Sequence, residues 1–252
     1  MALDVIMLFG DSITQGGWSD GGFGARLANA YSRKFDVLNR GLAGYNTEWA
    51  LPVLEQCLPN KRDQQHVAKI KLLVVWFGAN DACIKPSPHH VPLPKFTDNL
   101  NRIVHLVHSA DPSTKIILVT PPPVNTHQRL ANLASRDPPL ALDRNFEVTK
   151  EYAEAVKAAA GASNVPVVDV WTAIWKAAGE REEALSRYLS DGLHLLPDGY
   201  AVVYEALVKT IASEYPELNH ENLQYVFTPW AEIDWANPEP SVQKREAVMS
   251  RN

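Results

Sequence analysis

The sequence predicts a doubly wound α/β domain: a parallel sheet of five strands with helices on both faces. Two observations carry this. Five short runs are apolar almost throughout, as strands buried on both faces must be, and longer stretches of helical periodicity separate them. Alternation of strand and helix, joined by right-handed crossovers, gives that architecture.

In chain order, the strand-like runs are residues 5–9, 37–39, 72–77, 116–120 and 165–170, and the helical stretches are 25–34, 48–57, 94–110 and 143–160. In the third helix Phe96, Leu100, Ile103, Val104 and Val107 form one apolar stripe. A last helix is expected over 197–215, burying Tyr200, Val203, Tyr204, Leu207, Val208 and Ile211. Two proline-rich loops, 85–94 and 121–143, should overhang the carboxyl edge of the sheet, where such folds place their ligands, and wall a pocket there. The domain is expected to span 1–218. The segment 219–252 reads as a tail whose aromatic first part packs on the domain or on a second subunit, with disorder expected from 237.

Four blocks could carry chemistry. The first run ends in Gly10-Asp11-Ser12, where a strand-to-helix turn would present a hydroxyl. Serine is a weak nucleophile until a base takes its proton and donors stabilise the oxyanion it generates. Asp191-Gly192-Leu193-His194 supplies a carboxylate at a spacing that can orient an imidazole, which fits Ser12 as nucleophile, His194 as general base and Asp191 as the orienting acid. Gly44 and Asn80 follow the second and third runs and can donate hydrogen bonds from their turns. Asp11 adjoins the serine but points away from it along the strand, so it reads as a turn residue. Of the other histidines, His105 and His108 read as solvated, His66 and His220 lie in polar segments, and His89, His90 and His127 sit in the loops of the active edge.

GDS, G-x-x-G-x-N-T, G-x-N-D and D-x-x-H in this order resemble the SGNH (GDSL) hydrolase superfamily. Asn39-Arg40-Gly41 with Gly44-Tyr45-Asn46-Thr47, Phe77-Gly78-Ala79-Asn80-Asp81-Ala82, His90-Val91-Pro92-Leu93 and Tyr188-Leu189-Ser190-Asp191-Gly192-Leu193-His194-Leu195 narrow the resemblance to the isoamyl acetate-hydrolysing esterases. The resemblance implies a flavodoxin-like three-layer α/β/α sandwich with strand order 2-1-3-4-5. It also implies an oxyanion hole made by the Ser12 and Gly44 N–H groups and the Asn80 side chain. The implied activity is hydrolysis of short-chain carboxylic esters, acetates of small alcohols above all. A lysophospholipase, thioesterase or carbohydrate deacetylase would use the same site, and a flavodoxin-like binding module would keep the blocks only for their turns. The family has Ser or Thr two residues after the histidine where this chain has Leu196, so the cap of the last helix is not evident.

Bulk properties set outer bounds. The 252 residues are 46% hydrophobic and 21% charged, ordinary for one globular domain, and the net charge of −5 disfavours nucleic acid as a partner. The apolar start is too short for a signal peptide and runs directly into Gly10-Asp11-Ser12, so a cytoplasmic enzyme is expected, with no stable membrane insertion and a homodimer as an open option. Cys57 and Cys83 make no disulfide framework, and scattered histidines and cysteines lack metal-ligand spacing. Gly16-Gly17 and Gly21-Gly22 are out of register for a dinucleotide loop and read as a flexible loop bearing Trp18 and Phe23. No cofactor or metal is expected.

Overall fold

A computed structural model describes residues 3–59 and 68–248; His66 lies outside them. Five parallel strands, β1 (Val5–Gly10), β2 (Asp36–Gly41), β3 (Ile70–Trp76), β4 (Lys115–Val119) and β5 (Val167–Val168), form one sheet in the order β2-β1-β3-β4-β5. The helices are α1 (Ser12–Gln15), α2 (Phe23–Ala30), α3 (Thr47–Cys57), α4 (Leu93–Ala110), α5 (Thr126–Ala134), α6 (Phe146–Ala162), α7 (Val170–Ala177), α8 (Pro197–Glu214) and α9 (Pro238–Ser241). The three layers and the strand order are those that the resemblance implies.

The apolar runs are continuous because successive side chains serve two different cores. Ile6 and Leu8 of β1, Leu72, Val74 and Trp76 of β3, and Ile117 and Val119 of β4 join one core with α2, α7 and α8. Val5, Met7 and Phe9, Leu73 and Val75, and Ile116 and Leu118 join the other with α3, α4 and α6. Period-two side-chain alternation across a sheet covered on both faces requires this.

Several elements differ from expectation. Residues 126–134 of the second proline-rich loop form α5, started by Asn125, whose side chain accepts from the Gln128 N–H at 3.0 Å. The helix expected from 143 begins at Phe146, with Asn145 as its cap, which leaves Asp143 and Arg144 in the preceding loop. The fifth strand is only Val167–Val168, because Asp169 caps α7 and accepts from the Thr172 N–H at 3.0 Å. The glycine-rich segment is an ordered turn: Phe23 is buried at the start of α2, edge-on to Trp76. No side chain caps α8 at Leu196; Pro197 takes the first helical position and Asp198 the first turn.

The tail closes the opposite end of the sheet from the first three blocks. Leu223 and Val226 are buried, and Val226 donates to the Arg33 carbonyl at 2.9 Å. Disorder was expected from 237, but residues 245–248 run back beside 224–226, Arg245 donating to the Val226 carbonyl at 2.8 Å and Gln224 to that of Val248 at 3.2 Å. These residues lie beside Asp4, Ile70 and Thr114, at the amino ends of β1, β3 and β4, not at the active edge. Among the described residues, no helix is long and apolar enough to cross a membrane.

Candidate active site

β1, β2 and β3 end abreast, Gly10 pairing with Gly41 on one side and Trp76 on the other, so the turns that follow them share one edge. Asp11 is the N-cap of α1, accepting from the Ile13 N–H at 2.9 Å, which makes Ser12 the first residue of a helix. Two long-range bonds fix that short helix: Asn39 of β2 donates to the Thr14 carbonyl at 2.8 Å, and Tyr200 of α8 donates to that of Ile13 at 2.8 Å. Burial, partly offset by the Ile13 N–H and the His194 and Arg144 charges, pushes the Asp11 carboxyl up to about 6.

Asp191 and His194 occupy a tight turn just before α8. The Asp191 Oδ1 accepts from the Leu193 and His194 N–H groups at 3.0 and 2.9 Å, and its Oδ2 is 3.0 Å from His194 Nδ1. An ionised carboxylate can only accept, so Nδ1 carries the proton and Nε2 is the free lone pair. Nε2 lies 3.0 Å from Ser12 Oγ, within reach of its hydroxyl proton. Burial would raise the Asp191 carboxyl, but the bonds from the His194 ring and N–H, with the His194 and Arg129 charges, hold it well below the usual carboxylate range.

The Gly44 turn and Asn80 adjoin. Gly44 has φ +80, and its carbonyl accepts from His89 Nδ1 at 2.8 Å. Asn80 donates one Nδ2 hydrogen to the Tyr45 carbonyl at 2.8 Å, leaving the other. The next residue, Asp81, is buried and accepts from the Thr47 N–H at 2.9 Å and its hydroxyl at 2.5 Å, fastening this loop to the start of α3. His89 packs on Trp49 at 5.3 Å, so the loop 85–94 does stand beside the Gly44 turn. His90 spends its Nδ1 on the Cys83 carbonyl, and His105 and His108 are exposed.

The structure also shows polar residues that the sequence did not single out. Arg129 of α5 donates to Asp191 Oδ2 at 2.7 Å and to both oxygens of Asp143. Arg144 donates to the Ala79 carbonyl at 2.6 Å, to Asn80 Oδ1 at 2.5 Å and to Asp143. The only sequence signal was the Asn125 cap ahead of α5; nothing in the spacing ties an arginine at 129 to an aspartate at 191. Among the described residues, no three His, Cys, Asp or Glu side chains are grouped to hold a metal ion.

The GDSL-like Lipase/Acylhydrolase family model matches residues 8–202. A GDSL esterase/lipase of Arabidopsis thaliana is 36% identical over 95% of this chain and 98% of its own. The isoamyl acetate-hydrolyzing esterase of Saccharomyces cerevisiae is 33% identical over 92% of this chain and 96% of its own. Among solved structures, a lipase/acylhydrolase from Enterococcus faecalis superposes with a TM-score of 0.60 at 26% identity, covering 84% of this chain and 97% of that one. With its fold, its four blocks in order and these relatives, the chain belongs to the GDSL-like lipase/acylhydrolase family and is a carboxylic ester hydrolase.

Proposed function

We infer that the protein is a serine esterase for short-chain carboxylic esters, acetates of small alcohols such as isoamyl acetate in particular, working through an acyl-enzyme. The observation that carries this reading is the line from Ser12 Oγ to His194 Nε2 and from Nδ1 to Asp191, each step 3.0 Å. Ser12 Oγ attacks the ester carbonyl as its proton passes to Nε2, and the imidazolium is stabilised by the ionised Asp191. The charge that develops on the carbonyl oxygen falls to the Ser12 and Gly44 N–H groups and the remaining Nδ2 hydrogen of Asn80. His194 then returns the proton to the departing alcohol. A water molecule, activated by the same imidazole, cleaves the acyl-enzyme and regenerates the hydroxyl. The name of the yeast relative supports the choice of substrate.

The test is a hydrolysis screen of p-nitrophenyl esters from C2 to C12 with isoamyl acetate and other small-alcohol acetates. The reading predicts a fall in kcat/KM beyond C4 and turnover of isoamyl acetate. A maximum at C10 or longer would transfer the assignment to a lysophospholipase or thioesterase, and selective turnover of acetylated sugars to a deacetylase.

A further inference from the structure

One unbroken run of charged side chains joins the acid beside His194 to the amide beside the Gly44 turn. From Asp191 it passes through Arg129, 2.7 Å away, to Asp143, whose two oxygens take Nε at 2.9 Å and Nη2 at 2.8 Å. Asp143 in turn takes Arg144, which reaches Asn80 Oδ1 at 2.5 Å. Both guanidiniums are nearly buried, 6% and 5% exposed. A guanidinium does not give up its proton, so each needs an anion, and among the described residues Asp143 is the carboxylate they share.

We propose that Asp143 is a positioning residue for ester hydrolysis, holding Arg129 against Asp191 and Arg144 against Asn80 so that the two ends of the site are set together. This rests on the serine-esterase reading above. The paired bonds between Arg129 and Asp143 fix the guanidinium plane, and that plane aims Nη1 at the triad acid. Arg144 decides which end of the Asn80 amide faces substrate. With Oδ1 turned to the guanidinium, the Nδ2 hydrogens face Tyr45 and the acyl group; a flipped amide would set an oxygen against the developing oxyanion.

Charge enters as well. The groups facing the His194 imidazole are Asp191 on its own turn and Asp11 at the β1–α1 junction, with Arg129 of α5 behind Asp191 and Arg144 near Asp11. Without the Asp143 charge, Arg129 would neutralise more of Asp191, and the imidazolium formed during attack would be held less well. The chemical step would then slow.

The experiment compares wild type with Asp143→Asn, Asp143→Glu, Asn80→Ala and the Asp143→Asn/Asn80→Ala pair, each measured for kcat and KM on p-nitrophenyl acetate. Asp143→Asn should lower kcat about 10- to 100-fold with KM within about threefold. Asp143→Glu should recover most of the loss. The cost of Asp143→Asn should shrink in the Asn80→Ala background, because one of its two clients is gone. A strictly additive cost would reduce Asp143 to a folding role and overturn the proposal. If Asp143→Asn does not fold, the same cycle with Arg144→Lys decides: non-additivity with Asn80→Ala supports the linkage to the amide and additivity overturns it. Ser12→Ala in parallel separates the two readings. A Ser12→Ala protein that still turns over sinks the esterase mechanism, whereas a dead one beside an unaffected Asp143→Asn sinks only the positioning role.

Discussion

Asn125 donates its backbone N–H to the Gly192 carbonyl at 3.0 Å, which seats the turn bearing Asp191 and His194 directly on the first residues of α5. Gly192 has φ +84, and a Cβ there would lie 2.5 Å from the Arg129 nitrogen and 2.6 Å from the Asn125 carbonyl oxygen. Both the backbone conformation and the close approach demand glycine.

Gly192→Ala should therefore push the turn off α5 and break the Ser12 to His194 contact. Turnover should fall at least about 100-fold together with a lower melting temperature. A crystal structure of the variant with the Arg129 to Asp191 bond intact, or wild-type kcat, would show that the turn stands without this seat.

Ser12→Ala should abolish ester hydrolysis at nearly unchanged stability, since the hydroxyl sits at the half-buried edge and its helix is held by Asn39 and Tyr200. Asn80→Ala should leave a residual rate, about 10²- to 10³-fold down in kcat, because the proposed oxyanion hole loses one donor of three. Steady-state kinetics on purified protein checks both, and more than about a tenth of wild-type turnover in Ser12→Ala would exclude the covalent route.

Stability should depend on pH through Asp81. Its Oδ2 is buried without a hydrogen-bond partner among the described residues, and burial, opposed by the Thr47 hydroxyl and N–H, pushes this carboxyl up to about 7. An unfolded aspartate titrates near 3.9, so the folded state keeps a proton that the unfolded chain releases. That contribution is complete below about pH 4 and is lost as pH rises through the folded value near 7. Asp191 and Asp143, both lowered, act oppositely: their contribution is present above about pH 4 and is lost only in stronger acid. Asp81→Asn, neutral at every pH, should melt a few degrees above wild type at pH 8 and close to it at pH 5. Calorimetry that finds the wild-type slope between those pH values in the variant would remove Asp81 as its source.

Leu223→Ala should lower stability by about 2 to 5 kcal/mol and leave kcat/KM of the folded protein unchanged, because the side chain is buried in the core shared with α2 and α8, away from the active edge. Denaturant melts and kinetics on the same preparation check this. A changed chain-length preference would instead tie the tail to substrate.

The strands, their parallel arrangement and the large helices were legible because burial on both faces writes continuous apolar runs, and α4 writes a stripe. α5 was not legible. It is short, polar and flanked by prolines, and of its nine residues only Arg129 and Leu133 are buried, too few for a visible period. The same cause hid Arg129, Asp143 and Arg144. Ser12, Gly44, Asn80, Asp191 and His194 stand in blocks whose local spacing is their signature, whereas the arginine contacts exist only after the chain has folded. Val165 to Val170 misled for a different reason: Asp169 stops the strand by capping a helix, and cap geometry competes with apolar run length at that one position.

Ser12 and His194 are 182 residues apart in sequence, yet one hydrogen bond apart in space. A ribosome must therefore have added those 182 residues before Ser12 can meet His194, and further residues must clear the exit tunnel first. Until then β1 can pair with β2 and β3, and on the proposed mechanism the Ser12 hydroxyl is without its base. On that mechanism reactivity arrives only with the closing turn, as a late product of folding.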